Sequence, residues 1–473
     1  MKIIHLIFAL CLLLIYGFTP IVAQNISNAK DSVIIEGISL IGNNRTKTSV
    51  IERELVFKKG DTLKLSEIDD VILKSRENLL KTSLFNFVDI KQQYQDSGRV
   101  IIEITLQERW YLVPKFKINS VEENFNAWAL TSDFNHLNLS MTISDVNFRG
   151  NNEKLSVSGS IGFNKSLGLK YYRPFITSNH KIGFGAEFLW VSNQETTLGL
   201  FDYKSKFLRC DNNSLLTQYI TTALLHYRPT LNIDELLSLS YSSITVDDTL
   251  YKANPRYYLS QKIDLLRVFS KLKVDYRDNK SYSLEGSYYD LIAEKQWGVN
   301  SSKNREDYSA LTINSRWYYK FSKKWFGAFG ITGSKSWTND NSQYMGLRIG
   351  QSGLEVRSFE YYLIPVSATA IGRVAFKYRL LNQPKKSFKF MGNPKFGIVH
   401  YAVYASIYAD GALVDYDLNA NYEQNMHISK NWLSSVGAGL DLSTYYDIVL
   451  RTEYSYNFVF QKWNFFIHFK AAI

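Results

Sequence analysis

The sequence predicts a small α+β domain followed by a large antiparallel β-barrel whose strands cross a membrane. Three observations carry this reading. From about residue 118 onward, segment after segment alternates apolar and polar residues with period two. The apolar partners in those segments are largely aromatic, and the segments run to about ten residues, longer than the five or six usual in soluble sheets. Tyr 32, Phe 29 and Trp 9 make 15% of the chain against only 8 Pro, and no apolar run of helix-spanning length follows the N-terminal one. Strands that face lipid on one side and a wet lumen on the other produce this alternation, and aromatic girdles at the two membrane interfaces use such a stock of rings.

The elements follow in order. Residues 1–24 read as a secretory signal peptide: Lys2 supplies the positive charge, Ile3 to Tyr16 form a nearly unbroken apolar run, and small residues stand around Val22-Ala23-Gln24. Cys11 lies in the middle of that run, behind Leu10, which disfavours a lipid-modified N-terminus. Residues 31–117 mix helical and strand signals. A β-rich run, Val33 to Leu40, is closed by the turn Gly42-Asn43-Asn44. Thr48 reads as the N-cap of a short helix carrying Val50, Ile51 and Leu55, and Gly60-Asp61 breaks the chain. Ser66 is placed to cap a second helix with Ile68, Val71, Ile72, Ser75 and Leu79 on one face. Two strands follow, Phe85 to Tyr94 and Val100 to Leu106, around Asp96-Ser97-Gly98. The order β-α-α-β-β gives a three-stranded sheet with two helices on one face.

Residues 118–473 are assigned to the barrel. Leu155, Val157, Gly159 and Ile161 alternate with Ser156, Ser158, Ser160 and Gly162. Ile182, Phe184, Ala186, Phe188 and Trp190 repeat the pattern, as do Leu311, Ile313, Trp317, Tyr319 and Phe321. Val374, Phe376, Tyr378 and Leu380 interleave with Arg373, Lys377 and Arg379. The closing strand would turn Trp463, Phe465, Ile467 and Phe469 to lipid and Asn464, His468 and Lys470 inward, with Phe466 breaking the polar set. A soluble periplasmic sandwich alternates too, but it does not call for aromatic residues on strands this long.

Several functions fall away. The net charge of +11 belongs almost wholly to the C-terminal part. In an exported, aromatic-rich chain it reads as a cationic lumen, or as rim Lys and Arg meeting anionic headgroups, rather than a nucleic-acid footprint. After export only Cys210 remains, so no internal disulfide is possible, and no Cys/His cluster has zinc spacing. No metal or cofactor is therefore expected. G-x-S-x-G, H-E-x-x-H and phosphate-loop motifs are absent. His136, His226 and His468 read as lumen-lining or interfacial residues, and no enzyme activity is expected.

The N-terminal domain resembles a POTRA domain: Gly42, Asn43, Asn44 and Thr46 match GNN-x-T, Phe57–Asp61 match FKKGD, and Asn78 to Asn86 match the L-x-x-T-x-L-F connection between second helix and second strand. Glu108-Arg109-Trp110-Tyr111 and Pro114 resemble the exit into the barrel in single-POTRA members. The barrel resembles those of the BamA/TamA/FhaC superfamily. Gly350, then Val356-Arg357-Ser358-Phe359, stands where that family carries V-R-G-F/Y in its sixth extracellular loop, with Ser358 replacing the glycine. Tyr408, Asp410 and Gly411 match the partner motif F-x-D-x-G, the glycine arriving one residue early. The aromatic closing strand is similar to the family's assembly signal, but Ala471-Ala472-Ile473 replace its terminal aromatic. The resemblance implies about sixteen strands and an Arg357–Asp410 pair that pins the loop inside the lumen, since a charge-assisted hydrogen-bonded pair fixes geometry as well as energy.

What the resemblance implies functionally is an outer-membrane protein assembly or translocation factor, with the POTRA domain in the periplasm of a Gram-negative cell. Extended clients, unfolded outer-membrane or surface proteins, would add as strands to the POTRA sheet edge and leave through a seam between first and last barrel strands. A single POTRA domain points to an accessory or client-restricted insertase. Outer-membrane lipid, lipopolysaccharide and accessory subunits are the other expected partners. A passive anion-preferring porin and a scaffold subunit of a larger complex remain as alternatives.

Overall fold

The computed structural model describes residues 32–469 apart from 97, 123, 178–180, 231, 256–257, 259, 300–306, 339–345, 352, 388–397, 417–427, 429–430 and 445–448. The expected signal peptide, residues 1–24, Lys470 and the terminal Ala471-Ala472-Ile473 lie outside the described residues. Two compact units divide at Arg109/Trp110.

The first unit is built from β1 (Ser32–Ile41), α1 (Thr48–Glu52), β2 (Thr62–Lys64), α2 (Ile68–Lys81), β3 (Phe85–Asp96) and β4 (Arg99–Glu108). The sheet has four strands in the order β2-β1-β4-β3, with β1 and β4 parallel. This corrects the three-stranded expectation: Thr62–Lys64, three residues after the glycine turn, pairs antiparallel with β1. The capping expectations also shift. Thr48 is the first helical residue of α1 and Glu67, not Ser66, precedes α2, with no side-chain cap at either start. The apolar face predicted for α2 is the packed one: Ile68 and Leu79 are buried, and Ser75, also buried, donates to Val71 O and accepts from the Val56 N–H.

The second unit is a closed antiparallel barrel. It starts with β5 (Leu112–Ser120), helix α3 (Phe125–Thr131), β6 (Leu137–Phe148), β7 (Glu153–Gly162), β8 (Asn164–Arg173) and β9 (Ile182–Asn193). A separate two-stranded hairpin, β10 (Glu195–Phe201) and β11 (Lys204–Arg209), stands on the rim. Next come β12 (Leu216–Tyr227), β13 (Ile233–Val246), α4 (Asp248–Ala253), β14 (Lys262–Asp275), β15 (Gly286–Gly298), β16 (Tyr308–Lys320) and β17 (Trp325–Thr338). The last set is β18 (Leu347–Ile349), β19 (Ile364–Ser387), β20 (Ile398–Tyr416), β21 (Trp432–Thr444), β22 (Val449–Asn457) and β23 (Lys462–His468). Three-residue β18 is an annex paired to β19, which leaves sixteen spanning strands among the described residues, the number the resemblance implies. The expected domain border at 117/118 falls inside β5, whose residues from Leu112 already pair with β6. The barrel therefore begins before the change in sequence texture, because Leu112–Lys117 is too short a stretch to show alternation by itself.

Strand alternation sorts the side chains. Ile313, Tyr319, Phe376, Leu380, Leu440 and Tyr454 are exposed on the outer face, whereas Asn314, Tyr318, Arg373, Lys377, Asp441 and Arg451 on the same strands are buried inside. Outer-face rings pair across strands, as in Trp325–Tyr378 and the stacked Tyr454–Trp463, both with centroids 4.8–4.9 Å apart. Apolar rings outward and charges inward is the reverse of a soluble fold. It is what a barrel needs when lipid is the outer solvent and its own lumen is the wet one.

Candidate functional site: the lumenal loop and the barrel seam

The segment between β18 and β19 turns back into the lumen. Gly350, at φ +95°, makes the turn, and a Cβ there would collide with the carbonyl oxygen of Tyr362. Apolar side chains then hold the loop: Ile349, Leu354, Val356 and Phe359 are buried in one cluster with Ile364, Val366, Ala412, Val414 and Leu433 of the wall and Tyr203 of the rim hairpin. Phe359 lies 6.0 Å from the Phe460 ring.

The charged contacts lie beneath this cluster. Arg357 donates from its backbone N–H to Asp410 Oδ2 at 3.0 Å and from Nε to the same oxygen at 2.9 Å, and one Nη reaches Asp410 Oδ1. Its guanidinium sits 3.8 Å from the centre of the Tyr408 ring. Gly437 opposite leaves room for that ring, since a Cβ there would meet Tyr408 at 2.6 Å. Val356, Arg357, Ser358 and Phe359 are thus all buried, with Tyr408 and Asp410 facing them. Gly411 is not part of the group: it looks outward to the Trp432 ring. On a strand only every second residue shares a face, so the inward position after Asp410 belongs to Ala412, fully buried.

Ser358 occupies the motif's glycine position at φ +74°, in the region where a side chain is strained. Its carbonyl accepts from Asn457 Nδ2 at 2.9 Å and its Oγ from Asn464 Nδ2 at 3.3 Å, tying the loop to β22 and β23. Reading the sequence missed these partners. It also missed Arg373, whose Nε donates to the Glu355 carbonyl at 3.0 Å and whose Nη1 donates to Thr332 Oγ1. The inward arginine at a period-two position of β19 was the available signal. Phe466, the residue out of pattern in the closing strand, is fully buried against Tyr361, with ring centres 4.9 Å apart. Its apolar inward side chain matches a loop rather than water.

Strands β5 and β23, nine and seven residues long, meet to close the barrel. On β23, Trp463 and Phe465 are exposed outward and Phe469 beyond it is exposed too, while Ile467 is half-buried. At this closure the Ile467 N–H donates to Asn126 Oδ1 of α3, at 2.8 Å. Phe125 stacks edge-on against Phe469 at 5.8 Å. Asn124, the N-cap of α3, also donates from Nδ2 to the Glu360 carbonyl at 2.7 Å. A side chain on a short helix therefore occupies a strand-edge donor at the seam, next to the tucked loop.

At the rim, His136 Nδ1 lies 2.6 Å from Glu122 and its Nε2 3.0 Å from Glu195 on the hairpin. Burial works against the charged imidazole, but the Glu122 hydrogen bond and the charges of Glu195, Glu122 and Asp133 outweigh it and raise the pKa above 6.5. Burial likewise raises the Glu195 carboxyl, offset in part by His136 and Arg209.

Comparison with known proteins agrees with this architecture. Residues 33–109 match the family model "POTRA: Surface antigen variable number repeat". The outer membrane protein assembly factor BamA of Neorickettsia risticii (strain Illinois) is 27% identical over 174 residues, 36% of this chain and 21% of that protein. The matched stretch thus spans about a fifth of the length of that curated relative. Among solved structures, BamA from Haemophilus ducreyi lacking POTRA domains 1–3 superposes with a TM-score of 0.56 at 15% identity, over 90% of this chain and 81% of that one. CdiB from Escherichia coli gives 0.54 at 12% identity, over 92% and 75%. At these identities the two structures speak for the fold.

Proposed function

We propose that this chain is a POTRA-plus-barrel protein of the BamA/TamA/FhaC superfamily, resides in the outer membrane with its POTRA domain in the periplasm, and assembles or translocates other outer-membrane or surface proteins through its barrel seam. The observation that carries this reading is the Asn126–Ile467 contact. A seam that templates an incoming strand must offer unpaired backbone donors on demand. The donor held by Asn126 is released by moving α3, so at that position the seam opens without breaking a strand–strand bond.

The POTRA domain supplies a receiver. In the order β2-β1-β4-β3 the long strand β3 lies at an edge, and Phe87 and Tyr94 on it are exposed. An extended client adds there by main-chain pairing, with side-chain pockets setting preference. The loop packed into the lumen stands against a passive porin: reconstituted in planar bilayers, the protein should show small, irregular openings rather than large steady pores.

The test bridges the seam. Cysteines at 126 and 467, in a Cys210→Ser background, are joined by a short bis-maleimide in cells. Outer-membrane proteomics after depletion of the native protein first identifies the clients that are lost. The unbridged variant should restore those clients and the bridged one should not. Full restoration by a folded, bridged barrel would sink the seam mechanism.

A further inference from the structure

Three acidic or imidazole side chains from distant parts of the chain converge beside the tucked loop. Glu360 follows the Arg357–Phe359 motif, Glu453 lies on β22 and His468 ends β23; one ligand atom from each lies within 4.8 Å of the others. His468 Nε2 is 3.2 Å from Glu453 Oε2 and 3.6 Å from Glu360 Oε1. Glu453 is 1% exposed, yet neither of its carboxylate oxygens makes a hydrogen bond, nor do Glu360 Oε2 and His468 Nε2. Buried carboxyl groups short of hydrogen bonds are costly, and native structures give them a hydrogen bond, a counter-charge or a metal ion.

The neighbouring cations are mainly committed elsewhere. Arg357 is clamped on Asp410. Arg451 donates from Nε to Asp441 Oδ1 at 2.7 Å and from Nη2 to Asp441 Oδ2 at 3.3 Å, and only its Nη1 approaches Glu453, on Oε1, at 3.3 Å. The other Glu453 oxygen and Glu360 are left facing one imidazole. Two carboxyl groups and an imidazole thus offer two oxygens and one nitrogen within 4.8 Å of one another. Around a tetrahedral Zn²⁺ with bonds of about 2.0–2.1 Å, ligand atoms stand roughly 3.3 Å apart, close to the 3.2 and 3.6 Å from His468 Nε2 to the two glutamates. Hard cations such as Mg²⁺ and Ca²⁺ favour all-oxygen sets, whereas imidazole nitrogen suits zinc.

We propose that Glu360, Glu453 and His468 form a Zn²⁺ site joining the lumenal loop to the last two barrel strands. The His468 side chain is about one quarter exposed, so the site lies near solvent, and the fourth position falls to water. A bound ion neutralises the two carboxylates and fastens the loop directly to the strand that forms the seam. The sequence shows no zinc spacing because the three ligands come from three separate elements.

The full chain, purified in detergent and stripped with a chelator, is titrated with Zn²⁺ alone. Wild type should bind one ion per chain, with X-ray absorption reporting one imidazole nitrogen and oxygen ligands. Glu453→Gln and His468→Ala should each weaken binding by roughly tenfold or more, while His136→Ala, which alters the acidic cluster at the rim, leaves it unchanged. Heat-dependent migration on gels verifies that each barrel is folded, and Glu360→Gln, of unchanged shape, serves if either variant is not. Loss of loop protection from protease on chelation, restored by Zn²⁺ in wild type only, is the second readout. No stoichiometric binding, or binding unaltered in Glu453→Gln and His468→Ala but lost in His136→Ala, would overturn the site.

Discussion

Removal of Asp410 asks most directly what holds the loop in the lumen. Asp410→Ala takes away the acceptor for the backbone N–H, Nε and one Nη of Arg357 and leaves a guanidinium that is 6% exposed in the native loop. Breaking one member of a buried pair costs about 3–5 kcal/mol, because the remaining charge is uncompensated. Arg357→Ala should cost a similar amount, since Asp410 is then stranded and the ring contact with Tyr408 goes too. The double variant strands neither charge. Its cost should fall short of the summed single costs by about 0.5–3 kcal/mol, the range for residues in one network. The apolar cluster around Val356 and Phe359 keeps contributing in all three variants, so the loop loosens while the barrel persists. Protease cleavage rates within 353–363, measured beside heat-dependent gel migration of the barrel, separate the two. Strictly additive single effects, or loop and barrel lost together in every variant, would refute the idea that this pair retains the loop.

Two further outcomes follow from the same geometry. Ser358→Gly relieves a strained backbone worth about 1–2 kcal/mol but loses the Asn464 bond and gains unfolded-state freedom, each about 0.5–1 kcal/mol. Loop retention should therefore change by less than about 1 kcal/mol, whereas Ser358→Val, branched at φ +74°, should lose about 1–3 kcal/mol; protease protection of the loop measures both. The pKa of His136 is raised in the folded protein, so its tie between rim and hairpin is at full strength below pH 6.5 and fades as pH rises through the folded value. Hydrogen exchange of residues 195–209 should quicken as pH rises above 6.5 beyond the intrinsic rate, and His136→Gln should abolish that excess; an unchanged profile in His136→Gln would remove the switch.

Much of the architecture was legible in the residue order because period-two alternation is a local property. Phe376 exposed and Lys377 buried on β19 follow from the chain alone once lipid is the outer solvent. The face of α2 was readable for the same reason, at period 3.6. The short strand β2 was not, because three residues carry no periodicity, and the start of β5 was hidden likewise. Arg357 and Asp410 stood out as a pair only through the resemblance, and the placement of Gly411 with them failed on strand parity.

By itself, then, the sequence determined a periodic wall: which residues look outward, which look inward, and that a distinct α+β domain precedes them. Only the tertiary structure decided what meets inside that wall. Arg357 reaches Asp410 across 53 residues, Asn126 reaches Ile467 across 341, and Glu360, Glu453 and His468 share one corner of the lumen. Contacts so far apart in the chain arise from strand register and from a loop folding inward, and neither leaves a local imprint on the order of residues.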